Sequence, residues 1–214
     1  MLLAQASRSV NDSLIRGHMP YRKHLSTDKS LKKLIRKVGP IELKKRKQVY
    51  LRLIESIVSQ QLSVKAADTI HGRFLQLYGG HEPSPEQILD TTTEQLRAAG
   101  LSRAKASYLH NVARFELEKK LESRRLHKMT NEEVIAHLTQ IKGVGRWTVE
   151  MLLMFVLARE DVFAIDDIGI QNAMARLYGL NRKHKKFKKQ LLTISQAWSP
   201  YRTYACLYLW RWRE

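Results

Sequence analysis

Segment after segment of this chain repeats its apolar residues at three- and four-residue spacing, and nowhere does a useful length alternate apolar with polar. That pattern commits the chain to helices packed on helices, because a strand buries every second residue whereas a helix turns one face inward about every 3.6. Leu31, Leu34, Ile35 and Val38 line one side of a helix predicted over 26–38, which Gly39-Pro40 stops. Tyr50, Leu53, Ile54, Ile57 and Val58 mark a second helix. A third, over 63–77, carries Ala67, Ile70 and Phe74 and closes at Gly79-Gly80. Over 103–121 the positions Ala106, Leu109, Val112, Ala113 and Leu117 share a face, with charged residues opposite. Helix starts are legible as well: Ser84-Pro85-Glu86-Gln87, Thr91 with Glu94, and Thr130 with Glu133 all have capping-box spacing. The fold class expected is all-α. Residues 1–25 lack periodicity and are expected to be a mobile extension, with 26–214 the folded domain.

Lysine and arginine outnumber aspartate and glutamate by 38 to 20, for a net charge near +18. On a chain whose apolar fraction of 43% can fill a core, that excess points to an anionic partner, nucleic acid ahead of membrane. The densest basic runs, 43–48 and 182–190, each read as solvated helix surface when taken alone. A single cysteine, Cys206, excludes a disulfide framework and a four-thiolate iron or zinc cluster, so a reducing, intracellular location is expected. The eight histidines are scattered and form no metal-ligand pattern. The first residues lack the features of a secretory signal, and no run is long and apolar enough to span a bilayer.

The stretch IKGVGRWTVEM at 141–151 places Gly143 and Gly145 one residue apart at the start of an apolar helix. Glycines there leave backbone N–H groups uncovered next to a helix N-terminus, which suits a phosphate; the competing explanation is a tight turn that needs glycine for geometry alone. With Val134, Leu138 and Ile141 before it and Arg146 after it, in a strongly basic chain, the turn reads as a phosphate site made of Gly143, Val144, Gly145 and Arg146. Farther on, the pair Asp166-Asp167 precedes another apolar helix and reads first as an N-cap.

LTQIKGVGRWTVEMLLMF followed by DVFAIDDIGIQNAMARLYGL resembles the helix-hairpin-helix DNA glycosylase superfamily, and within it the 3-methyladenine DNA glycosylase II branch. SIVSQQLSVKAADTI, GLSRAKASYL and the terminal WSPYRTYACLYLW extend the resemblance over nearly all of the chain from residue 26. It implies a two-lobed helical fold with a cleft between the lobes, the helix-hairpin-helix at about 131–157, and no N-terminal β-domain. The implied activity is that of a monofunctional, monomeric glycosylase, which flips alkylated purines out of damaged double-stranded DNA and hydrolyses the N-glycosidic bond. Asp167 matches the catalytic aspartate, with Asp166 either a rival for that role or a capping, secondary acid. Trp147 and Trp210 match aromatics that hold the extruded base, and Met151 stands in the same pocket where a bacterial relative has tyrosine. Bifunctional members carry a lysine at the position of Trp147, so no lyase activity is implied. The SQQLS break matches the loop that enters the duplex, giving Gln61 or Leu62 as the wedge with Gln60 beside it; a polar turn with Leu62 tucked into the core is the alternative.

No cofactor is implied beyond a monovalent cation, Na+ or K+, on the main-chain carbonyls of Thr139, Ile141 and Val144. Work on the genome would place the protein in the cytoplasm of a bacterium or the nucleus of a eukaryote. Two other functions stay open at this point: a glycosylase of the same fold for ethenoadenine or a deaminated base, and a DNA-binding scaffold without chemistry.

Overall fold

The computed structural model describes residues 19–213, and within them the chain forms thirteen α-helices and no strand. In order they are α1 (Pro20–Leu25), α2 (Lys29–Val38), α3 (Val49–Ser59), α4 (Val64–Gln76), α5 (Pro85–Asp90), α6 (Thr93–Ala98) and α7 (Arg103–Lys119). After these come α8 (Ser123–Lys128), α9 (Asn131–Leu138), α10 (Arg146–Phe155), α11 (Ile168–Tyr178), α12 (Phe187–Gln196) and α13 (Arg202–Arg213). The described residues fall into two compact units, 45–152 and 19–44 with 153–213.

In the first unit α3 packs on α4 and α7, and α5 and α6 pack on α7. Most of the positions that the periodicity picks out are buried: Leu53, Ile57 and Val58 of α3, Phe74 of α4, and Ala106, Leu109, Val112 and Ala113 of α7 are almost fully enclosed, whereas Ile70 is only partly covered and Leu117, expected on the same face of α7, is exposed near the end of the helix. Each large aliphatic residue so buried contributes roughly 1.5–3 kcal/mol of transfer free energy, offset by the entropy of ordering the chain. Three helix starts close full capping boxes, at Ser84 with Gln87, Thr92 with Gln95, and Thr130 with Glu133. The middle one lies one residue beyond the expected Thr91 with Glu94. Thr91 instead ends α5, and its hydroxyl donates to the carbonyl of Gln87.

In the second unit α2 and α11 both pack on α13, and α1 packs on α2. Asp28 knits these pieces together. Its Oδ1 caps α2 by accepting from the amides of Ser30 and Leu31, while Oδ2 accepts from the Tyr178 hydroxyl at 2.6 Å and Trp198 Nε1 at 3.2 Å. The expected boundary at residue 25 is not borne out. Residues 1–18 lie outside the described residues, but 20–25 form α1 with Tyr21 and Leu25 buried. The Tyr21 ring stacks on Tyr204 at 3.9 Å, and its hydroxyl donates to the Ile41 carbonyl and accepts from the Ile41 amide. A helix this short shows no useful periodicity, so only its tertiary partners make it visible.

Candidate functional site

Helix α9 ends at Thr139, and the chain turns through 141–145 into α10. The turn closes on itself, because the Val144 amide donates to the Ile141 carbonyl at 2.9 Å and the Val144 side chain is buried. Gly143 sits at φ +104°, and a Cβ there would come 2.2 Å from Cγ of Tyr108, so at this position the fold itself demands glycine. Gly145 differs: no positive φ is needed, it is exposed, and nothing lies within 4 Å of where its Cβ would stand. Asn111 donates through Nδ2 to the Lys142 carbonyl, bracing the turn from α7.

Two members of the expected phosphate set prove to be committed elsewhere. The Val144 amide closes the turn, and the Arg146 guanidinium is held by Glu132 at 2.7 and 3.0 Å and by Glu150 at 3.0 Å. Those hydrogen bonds from Arg146 keep the Glu132 carboxyl below its ordinary range, against a small opposing effect of burial. Of the set, Gly143 and Gly145 are left to offer backbone to an anion. Thr139 is the C-cap of α9, at the end of the helix where the dipole favours a cation, and the Ile141 carbonyl that follows accepts from the Val144 amide. Among the described residues no cluster of three or more histidine, cysteine or acidic side chains could hold a metal ion.

The break after α3 is equally defined. Gln60 ends the helix, Gln61 takes a left-handed φ of 58°, and the Leu62 amide donates to the Ser59 carbonyl before Ser63 caps α4. Gln61 is exposed and Leu62 only partly covered, so the loop points no side chain into the core. Lys105, near the start of α7, reaches this loop: Nζ donates to the carbonyl of Val58 at 2.9 Å and of Gln60 at 2.7 Å.

In the second unit the acidic pair divides its labour. Asp167 is the N-cap of α11, its Oδ1 accepting from the Ile170 amide at 2.8 Å and from Trp210 Nε1 at 3.0 Å, and it is 8% exposed. Asp166 is exposed and pairs with Lys188 at 2.6 Å, so the capping role expected of Asp166 belongs to Asp167. Trp210 is 7% exposed and lies against Phe155 at 5.7 Å between ring centres. Of the residues expected around a base, Trp147 is exposed at 37%, whereas Met151 is buried with the core. Tyr204 and Tyr208 are core residues, the first tied to Glu160 and the second to the Gly39 carbonyl. A recess of about 470 Å³ bordered by Tyr50, Glu82, Glu116 and Glu122 contains none of the expected site residues.

The family model described as HhH-GPD superfamily base excision DNA repair protein matches residues 54–198, which include the 60–62 loop, the glycine turn and the Asp166-Asp167 pair. The chain belongs to this superfamily. It is 40% identical over 194 residues to the DNA-3-methyladenine glycosylase 1 of Schizosaccharomyces pombe, a match covering 88% of this chain and 84% of that protein. Its fold superposes on the structure of the S. pombe 3-methyladenine DNA glycosylase Mag1 in complex with abasic DNA with a TM-score of 0.80, at 38% identity, over 90% of this chain and 96% of the other. A DNA-3-methyladenine glycosidase from Bacillus halodurans gives a TM-score of 0.79 at 40% identity, over 90% and 88%.

Sequence reasoning misses the supports of the loop and of the hairpin. GLSRAKASYL enters only as part of the resemblance, and Lys105, Tyr108 and Asn111 receive no role because they sit on the polar side of α7, where charged and amphipathic residues read as solvated surface. The one available signal was their spacing of three, which places all of them along one strip of the helix.

Proposed function

We infer that the protein is a DNA glycosylase of the 3-methyladenine type, removing alkylated purines from damaged double-stranded DNA by base flipping and hydrolysis in base excision repair. The observation that carries the chemistry is the carboxylate of Asp167, oriented by two N–H donors rather than left to rotate. As the C1′–N bond breaks, both electrons leave with the base and positive charge builds on the sugar. An oriented carboxylate beside the sugar stabilises that charge and directs a water to C1′. A 3-methyladenine or 7-methylguanine base is itself cationic and departs neutral, so no general acid has to protonate it. Trp147 is an exposed, electron-rich indole suited to a cationic base, and the buried indole of Trp210 lies at the Asp167 carboxylate. Neither position supplies the amine that a lyase needs to attack the sugar, so the reaction ends at an abasic site in an intact strand.

Gly145 supports a phosphate role for the hairpin. The protein does not require glycine there, whereas a phosphate drawn up to the backbone does. A Na+ or K+ held on the carbonyls of Thr139, Ile141 and Val144 would add positive charge at that phosphate; Ile141 already accepts from Val144 and keeps a second lone pair for it. The 60–62 loop, exposed at Gln61 and partly covered at Gln60 and Leu62, supplies Gln61 or Leu62, with Gln60 beside them, to fill the space that the flipped nucleotide leaves. The protein acts as a monomer on genomic DNA, in the cytoplasm of a bacterium or the nucleus of a eukaryote. The test is chromatography of bases released from methylated genomic DNA, with strand integrity followed in parallel. Free 3-methyladenine and 7-methylguanine with no strand cleavage is the expected result. Release of none, or of ethenoadenine and deaminated bases only, would contradict it.

A further inference from the structure

Helix α7 presents Lys105, Tyr108 and Asn111 at three-residue spacing, and each touches a different part of what the first unit offers to DNA. Lys105 grips the 60–62 loop through the carbonyls of Val58 and Gln60. Tyr108 fills the space that Gly143 leaves by lacking a Cβ. Asn111 holds the Lys142 carbonyl next to it. The opposite side of α7 is locked into the core by Ala106, Leu109, Val112 and Ala113, so the strip cannot shift without moving the whole unit.

We propose that Lys105 is a positioning residue for base extrusion, and that the Lys105–Tyr108–Asn111 strip fixes the spacing between the intercalating loop and the phosphate-binding hairpin. The assignment rests on reading residues 60–62 as the wedge. Its physical basis is the state of the loop itself. The carbonyls of Val58 and Gln60 come at the C-terminal end of α3, where the helix runs out of amide donors and the dipole is negative. Gln61 then holds a left-handed φ that a non-glycine residue keeps only when its surroundings impose it. A doubly hydrogen-bonded ammonium supplies that constraint at both points. The contact is close enough that partial burial lowers the pKa of the lysine. A wedge on a fixed loop meets the base pair already ordered, whereas a loose loop must be ordered at the moment of intercalation.

The demand on the wedge is greatest where the lesion is well paired and stacked, and small where the duplex is already open. The experiment compares K105M and K105R with the natural protein in single-turnover excision of 7-methylguanine, once paired with cytosine and once inside a short mismatched bubble. Amide exchange of the 59–63 segment in the DNA-free protein is the second readout. K105M should slow excision from the matched duplex by about tenfold or more, the loss expected for hydrogen bonds to a charged donor, while bubble excision changes by less than about threefold. Exchange at 59–63 should accelerate, and K105R, which keeps the charge and the donors, should restore both. Equal slowing on both substrates, or unchanged exchange in K105M, would overturn the role of Lys105. A Q61A/L62A variant separates this from failure of the wedge itself: if it excises as well from the matched duplex as the natural protein does, the loop is not the wedge, whatever K105M does to exchange.

Discussion

Asp167 and Trp210 meet through one hydrogen bond, and that bond separates two roles for the indole. If Trp210 only fills space, W210F should cost little, because the benzyl ring keeps most of the packing against Phe155. If its Nε1 holds the carboxylate in its working orientation, the same change should slow base release about tenfold at unchanged folding, the effect of losing one donor to a charged acceptor. Single-turnover excision alongside thermal melting distinguishes the two. The two hairpin glycines give a second contrast. G143A must fit a Cβ against Tyr108 at a φ unfavourable to alanine, and is expected to cost on the order of 3 kcal/mol of stability. G145A should leave stability within about 0.5 kcal/mol, since nothing stands near its Cβ, yet weaken DNA binding. Denaturant unfolding and binding titrations would show the pattern; a destabilised G145A would remove the argument that its glycine serves a ligand.

Among the elements, the segment between α10 and α13 is held by the Asp161–Arg202 pair. Arg202 donates through Nε at 2.6 Å and Nη2 at 2.9 Å, its amide donates as well, and the Ser199 hydroxyl adds a fourth bond. Burial alone would raise the Asp161 pKa, but these hydrogen bonds outweigh it and hold the carboxyl below its ordinary value. A carboxyl lowered on folding stabilises the protein above its unfolded pKa, about 3.9, and loses that contribution as pH falls through the folded value. D161N should therefore flatten the decline in stability between neutral pH and about pH 3, measured by urea unfolding across that range; an unchanged slope would rule out this pair as a source of acid sensitivity. Element boundaries show where sequence reasoning succeeds. α3, α4 and α7 were legible because each buries a long periodic stripe, and Ser63 and Ser84 announce their helices as caps. The Thr91 and Thr92 pair misled by one residue because both positions place an acid or amide three residues on, and only packing decides between them. The Asp166-Asp167 pair is ambiguous because either carboxylate could cap; the start of α11 at Ile168 makes Asp167 the cap, and its second donor, Trp210, is distant in sequence.

For the molecule as a whole, the surplus of +18 charges makes a prediction that no single contact does. The basic runs are not the helix surface that the sequence suggests: 43–48 lies in the loop before α3, and 182–186 forms exposed turns ahead of α12, with the buried Phe187 at the start of that helix. Neutralising about four phosphates should reduce affinity for DNA roughly a hundredfold between about 50 and 200 mM salt. Fluorescence anisotropy would measure the slope, and a flat response would contradict phosphate anchoring. The all-helical class is readable from periodicity, and the hairpin and the resemblance to the family from the motifs and their order. The brace on α7 and the committed state of Arg146 were not, because they depend on which exposed side chains find partners far away in sequence. Base release by this mechanism depends most on Asp167. Its direct test is single-turnover base release from a duplex containing 7-methylguanine by D167N, with binding to the same duplex measured in parallel. Loss of release by a factor of about a thousand or more, the scale of removing a preorganised electrostatic stabiliser, with binding retained, is the predicted result; base release by D167N at the natural rate would contradict it.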